Sequence, residues 1–288
     1  MVSLIVATVN RISELERLLS TLDNQTYTDF EVIVIDQNKD DRLTPVLQKH
    51  SGLAIHHLHS ERGAARARNV GLRIARGEII CFPDDDCWYP KPLLASVVDW
   101  LEQHSEWDAL FTIMRDADNR PVGLRWPPQP CTITRSNVWQ TTIFVTAFLR
   151  RAVTDAVGYF REDIGVGAAT PYQSGEESDY FLRALALGFR MRYEPNYTVH
   201  HPNLHSLARL QRITYPYALG SGCVMRLHGY SWREFWSYLL PSLGGAVVNL
   251  CKGNFAMVKL YLLRAAGLLR GYWQGPRDLA KIAESPSA

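Results

Sequence analysis

Apolar and polar positions fall into blocks along the first third of the chain, and each block has the period and length of one element. Ser3–Thr8 is an apolar run rich in Val and Ile, the pattern of a strand buried on both faces. Ile12, Leu15, Leu18, Leu19 and Leu22 follow at helical spacing, with Ser13 and Glu16 forming a capping-box pattern at the entry. Phe30–Asp36 is a second buried strand that ends on a carboxylate, and a short apolar segment around Ile55–Leu58 is a third. Arg62–Arg76 reads as a helix with Ala67, Val70 and Ile74 on one side, closed by Gly77. Glu78–Phe82 is the next strand and runs into Pro83 and three consecutive aspartates, Asp84, Asp85 and Asp86. Strand–helix alternation of this kind predicts a parallel sheet with right-handed crossovers. Ligands of such sheets bind beyond the carboxyl ends of the strands, where Thr8, Asp36 and the triple aspartate all fall.

From Trp107 the rhythm loosens. Strands are expected at Asp108–Ile113 and Thr142–Leu149, separated by a Pro/Arg-rich loop, Pro121–Arg135. A glycine-bearing stretch, Gly158–Gly175, leads into a helix over Glu176–Leu187 and a strand near Arg190–Glu194. After His205 the chain is basic and aromatic and is expected to be helical, with the last few residues expected to fray.

The 288 residues are 47% hydrophobic, 21% charged and 11% aromatic, which excludes disordered, collagenous and small disulfide-stapled classes. A formal net charge of +2 gives no reason to expect a nucleic-acid partner, but it hides an asymmetry. Residues 209–288 hold ten Lys/Arg against three Asp/Glu, so a basic tail follows an acidic body. The cysteines (Cys81, Cys87, Cys131, Cys223, Cys251) are widely spaced, with no CxxC pair, and read as reduced thiols of a cytoplasmic protein. Met1–Thr8 is too briefly apolar for a signal peptide. Tyr238–Cys251 is uncharged but shorter than the roughly 18–20 residues a membrane span needs.

Four groups of residues carry chemistry. Three adjacent carboxylates repel one another unless a cation or exposure relieves them, so Asp84–Asp86 is either a Mg²⁺ or Mn²⁺ site or a solvated acidic turn. Its place at a strand terminus in the crevice favours the metal. Glu176, Glu177 and Asp179 enter a helix, either as complements of its dipole or as a base that accepts a proton from an attacking hydroxyl. His200 and His201, with His205 beyond them, offer a metal or phosphate ligand; neighbours on a strand face opposite ways, so at most one of His200 and His201 faces the site. Arg62 and Arg68, ahead of the aspartate strand, are candidates to meet a diphosphate.

In order and spacing these motifs resemble a family 2 glycosyltransferase with the GT-A fold. The resemblance rests on Val6-Ala7-Thr8-Val9-Asn10-Arg11, Asn24-Gln25-Thr26, Glu31–Asp36, Arg62-Gly63, Ala67-Arg68-Asn69-Val70-Gly71, Ala75–Glu78 and Phe82–Asp86. It continues through Gly158-Tyr159-Phe160, Gly165-Val166-Gly167, Gly175–Asp179, Arg183, Gly188 and His200. It implies an α/β, mostly parallel, Rossmann-like sheet flanked by helices over residues 1–205, with a nucleotide-sugar half to about 106 and an acceptor half from 107. A helical extension over 206–288 would follow. Thr8, Asn10, Asp36 and Gln37 would hold the nucleoside, and Asp84 the ribose or diphosphate, with Asp85 or Asp86 on the metal. Glu177 stands at the family's catalytic-base position, where an aspartate is usual, and Asp179 remains a candidate. Gln37 also departs from the family, many members of which carry a second aspartate there, so the nucleotide stays open, with a UDP-sugar favoured. No QxxRW motif follows His205, which argues against a processive synthase. The implied reaction is inverting transfer of a sugar to a glycan hydroxyl. A dinucleotide oxidoreductase would need GxGxxG after the first strand; a sugar-phosphate nucleotidyltransferase would need a Gly-rich loop there; a non-catalytic binding relative would have lost one acidic cluster.

Between Ser231 and Trp273 the aromatics Trp232, Phe235, Trp236, Tyr238, Phe255, Tyr261, Tyr272 and Trp273 are interleaved with Arg233, Lys252, Lys259, Arg264 and Arg270. That composition fits either a helical subdomain packed on the catalytic body with a basic outer face or interfacial contact with an anionic membrane, and the attraction of basic residues to anionic lipid favours the membrane. It also resembles family members that extend lipid-linked oligosaccharides, which would put a polyprenyl-diphosphate-linked acceptor on the cytoplasmic face of the inner membrane.

Overall fold

The computed structural model describes residues 1–203 and 206–284. His205 and the four C-terminal residues lie outside the described residues. The chain forms two compact units: Met1–Phe160 with Tyr180–Asn203, and Arg161–Asp179 with Leu204–Ala288.

The first unit opens with β1 (Val2–Thr8), α1 (Ser13–Leu22), β2 (Phe30–Asp36), α2 (Thr44–Lys49), β3 (Ile55–His59), α3 (Ala64–Leu72), β4 (Ile79–Cys81) and α4 (Leu93–Gln103). It continues with β5 (Ala109–Arg115), β6 (Cys131–Thr132), α5 (Val138–Thr141), β7 (Ala147–Arg150) and α6 (Arg151–Val157). α7 (Glu176–Ala186) begins in the second unit and ends in the first, and β8 (Met191–His200) follows. The strands make one eight-stranded sheet, ordered β3-β2-β1-β4-β7-β5-β8-β6. β1–β4 pair in parallel, as do β5 and β8, while β7 runs antiparallel between β4 and β5. β1 and β2 are buried almost throughout, as their unbroken apolar runs require. Leu15, Leu18, Leu19 and Leu22 of α1, and Leu94, Val97 and Leu101 of α4, close one layer of the core over them. Elsewhere Phe82, Phe144, Phe160, Tyr180 and Phe181 pack as an aromatic cluster, with Phe160 stacked on Tyr180.

Local expectations fail where tertiary contacts compete. The capping box of Ser13 and Glu16 does not form: the helix bond starts at Ile12, Ser13 Oγ donates to Glu14, and Glu16 pairs with Lys49 of α2. Of the helix expected over Arg62–Arg76 only α3 forms, entered at Gly63 with φ 135°, and Gly77 donates its N–H to Ser3 Oγ instead of capping it. The strand expected at Thr142–Leu149 is a 3₁₀ turn at Phe144–Thr146 leading into β7. β8 is longer than expected, because the register skips from Glu194 to Thr198 and pairing resumes through His200.

The second unit holds α8 (Leu207–Leu227), α9 (Trp232–Cys251) and α10 (Phe255–Glu284). Gly267, Gly271 and Gly275 of α10, four residues apart, let it approach α8 closely: a Cβ on Gly271 would lie 2.0 Å from Leu219 O, and one on Gly222 of α8 would lie 2.2 Å from Leu268 O. α9 begins with a complete capping box between Ser231 and Glu234. Among the described residues no helix is long and apolar enough to cross a membrane.

Candidate active site

The carboxyl ends of β1, β2 and β4 carry the candidate residues of the first unit. Asp36, fully buried at the end of β2, receives the backbone N–H and Nδ2 of Asn38 on Oδ1, at 2.8 and 2.7 Å, and faces His57 Nε2 with Oδ2 at 3.2 Å. Thr8 is buried at the end of β1, and its carbonyl accepts the N–H of Gln37. Asn10 takes a left-handed backbone (φ 58°), a conformation Asn tolerates better than most residues. Its N–H donates to Asn38 Oδ1, so Asn38 ties the turn after β1 to Asp36. Gln37 accepts the N–H of Gly63 on Oε1, joining the loops after β2 and β3. Asn10, Gln37, Arg42, His59 and Arg62 help line a cleft of about 770 Å³.

The three aspartates divide. Asp85 and Asp86 are buried, and Arg11 Nη1 lies 2.6 Å from a carboxylate oxygen of each. Burial pushes Asp85 up to about 6 against the opposing charge of Arg11. Asp84 and Asp86 instead converge with His201, each offering one ligand atom within 4.8 Å of the others. His201 Nε2 lies 3.0 Å from the buried Asp86 Oδ1. Burial works to lower His201 and to raise Asp86; their mutual contact and opposite charges win, holding His201 above and Asp86 below their ordinary values. Two carboxylates and an imidazole fit a hard divalent cation with waters in its remaining positions. Arg68 is buried, its guanidinium 4.8 Å from the Phe144 ring centre and 3.7 Å from Asp84.

The choice between the adjacent histidines is made by backbone pairing. Trp88 and His200 exchange N–H···O bonds in an antiparallel bridge and stack their rings 5.3 Å apart. His200 is thereby occupied, and His201 falls beside the aspartates. Asp85, expected with Asp86 among the metal ligands, lies outside this group, and Asp84 stands in it beside Asp86. Gln25 fastens the segment beyond the aspartates, donating to Pro90 O and accepting from Leu94 N. Arg11, Asn38, His57 and His59 were not assigned from sequence. His57 lies in the strand expected around Ile55–Leu58 and His59 just beyond it, an alternating pair that is a readable signal; Arg11 stands in the Val6–Arg11 motif without an assigned role, and Asn38 leaves no signal.

In the second unit, Glu176 is buried against Gly165, and Asp179 is buried and bonded to His228 Nε2 at 2.9 Å. Glu177 is the half-exposed carboxylate of the three.

The description Glycosyl transferase family 2 matches residues 3–158, more than half of the chain. An uncharacterized glycosyltransferase of Haemophilus influenzae is 36% identical over 105 residues, 36% of this chain and 35% of that protein. The poly(ribitol-phosphate) β-N-acetylglucosaminyltransferase TarS of Staphylococcus aureus is 30% identical over 126 residues, 42% of this chain and 22% of TarS. The aligned part thus spans about a third and a fifth of these two relatives. The crystal structure of TarS 1–349 with UDP-GlcNAc matches with a TM-score of 0.61 at 17% identity, covering 95% of this chain and 92% of that one. The mannosyltransferase PcManGT of Pyrobaculum calidifontis, in complex with GDP-Man and Mn²⁺, matches with a TM-score of 0.61 at 23% identity, covering 100% and 76%. These likenesses establish the GT-A fold.

Proposed function

The chain belongs to glycosyl transferase family 2, and from that premise we propose an inverting, divalent-metal-dependent transfer of a sugar from a nucleotide-sugar, preferably a UDP-sugar, to an acceptor hydroxyl. The observation that carries the reading is the Asp84–Asp86–His201 group beyond the carboxyl end of β4, two carboxylates and an imidazole whose ligand atoms converge within 4.8 Å. Mn²⁺ or Mg²⁺ held by these residues would neutralise charge on the departing diphosphate. Thr8, Asn10, Asp36, Gln37 and Arg62 bind the nucleoside around the cleft. Arg68 supplies a cation for the diphosphate, and Arg11 keeps Asp85 and Asp86 from repelling one another.

Glu177 is the proposed base, taking the acceptor proton as the hydroxyl oxygen attacks the anomeric carbon from the face opposite the nucleotide. Its partial exposure supports this choice over Glu176 and Asp179, whose carboxylates are buried, that of Asp179 on His228. The acceptor is a polyprenyl-diphosphate-linked saccharide in cell-surface polysaccharide assembly, met at the cytoplasmic face of the inner membrane through residues 231–273. The domain division at 205 belongs to this reading, with 1–205 catalytic and 206–288 the membrane-facing extension.

The test is binding and slow hydrolysis of UDP-, GDP-, dTDP- and CMP-sugars with and without Mn²⁺, in wild type, Asp86→Asn and Glu177→Gln. Metal-dependent binding of one donor, lost in Asp86→Asn, is expected. Glu177→Gln should bind that donor normally and turn over at least a hundredfold more slowly. Equal loss of binding and turnover in Glu177→Gln would remove the base assignment.

A further inference from the structure

We propose that Asp36, His57 and His59 form a second cation site, selective for a nitrogen-preferring transition ion of the zinc class, and that an ion there excludes the nucleotide donor. The exclusion, though not the site, rests on the reading of Asp36 as a nucleoside ligand. β3 lies at one edge of the sheet, and its alternation puts His57 and His59 on one face. The parallel register sets Asp36 opposite His59 and Val34 opposite His57. One ligand atom from each of Asp36, His57 and His59 lies within 4.8 Å of the others, and the two rings are 4.9 Å apart.

Asn38 takes up Asp36 Oδ1, which leaves Oδ2 facing His57 Nε2 at 3.2 Å. In a tetrahedral zinc site with bonds of about 2.0 Å, adjacent ligand atoms stand about 3.3 Å apart. The Asp36–His57 pair therefore already spans one edge of such a site. His59 is exposed and lines the cleft that also holds Asn10 and Gln37, so an ion can enter from solvent. Three protein ligands leave a fourth position for water.

Ligand chemistry separates this group from Asp84–Asp86–His201. Two imidazoles and one carboxylate favour zinc, copper or nickel, whereas two carboxylates and one imidazole favour manganese or magnesium. An ion on Asp36 Oδ2 would remove that oxygen from donor recognition. Inhibition should therefore persist in excess Mn²⁺, unlike simple displacement of Mn²⁺ from the aspartates.

The experiment is titration of Zn²⁺, followed by calorimetry, and of Co²⁺, followed by visible absorption, into His201→Ala protein, in which the aspartate group has lost its imidazole. One equivalent with a tetrahedral Co²⁺ spectrum is expected, weakened at least tenfold by adding either His57→Ala or His59→Ala. His59 is exposed, so its variant keeps the fold; thermal melts check His57→Ala. In wild type, Zn²⁺ should weaken UDP-sugar binding even in excess Mn²⁺, and His59→Ala should relieve the effect. No binding in His201→Ala, or binding indifferent to both histidines, overturns the site and leaves His57 as a hydrogen-bond partner of Asp36. Binding that needs both histidines but leaves donor affinity unchanged overturns the exclusion and faults the nucleoside role of Asp36, not the ion site.

Discussion

Arg11 shows how much one side chain decides at this site. It is a third exposed, yet it contacts two carboxylates that are themselves buried. Removing a cation from such a group leaves uncompensated charge, which costs far more than the loss of a surface ion pair. Arg11→Ala should destabilise the fold by about 2–3 kcal/mol, and adding Asp85→Asn should restore most of the loss. Urea unfolding of the two single variants and the double variant, as a cycle, measures this; additive effects would show that Arg11 and Asp85 are energetically independent. The three aspartates were legible as a candidate cation site because repulsion among adjacent carboxylates is a local fact. Their division was not legible: Arg11 reaches across 74 positions to Asp85, and His201 reaches across 115 to Asp86.

At the level of elements, the same short motif has two outcomes. Ser231 and Glu234 form the capping box of α9, whereas Ser13 and Glu16 do not, since Lys49 of α2 takes the glutamate. Glycines likewise differ by neighbour rather than by position in a helix. Alanine at Gly271 would drive a Cβ against Leu219 O, whereas at Gly244 of α9 it would meet nothing within 4 Å. Gly271→Ala should therefore destabilise by about 1–3 kcal/mol as α8 and α10 are forced apart. Gly244→Ala should stabilise by about 0.5–1 kcal/mol through helix propensity. Thermal melts of both variants test the contrast, and a shift of the same sign in both would refute it.

For the whole molecule, charge and apolar surface coincide in the C-terminal residues. α9 buries Phe235, Leu239, Ser242 and Ala246 and leaves Trp232, Trp236, Leu240, Leu243, Val247 and Leu250 exposed at helical spacing, in a tail whose net charge is positive. This is the arrangement expected of a face that lies in an anionic interface. Wild-type protein should float with vesicles containing phosphatidylglycerol and much less with neutral ones, and Leu240→Glu with Val247→Glu should reduce flotation at least tenfold. Equal flotation of wild type and variant would move the contact away from α9. The sequence by itself determined the strand–helix alternation, the convergence of Thr8, Asp36 and Asp84–Asp86 on one edge of the sheet, and the family. The first two follow from hydrophobic period and from the handedness of parallel crossovers, which act over tens of residues, and the family from the order and spacing of its motifs. Only the tertiary structure decided that His201 rather than His200 joins the aspartates, that Asp84 rather than Asp85 does so, and that two histidines of β3 stand beside Asp36. The two histidine outcomes depend on pairing between strands far apart in sequence, where a shift of one residue would turn the opposite side chains toward the site, and the aspartate outcome depends on the turn that follows β4.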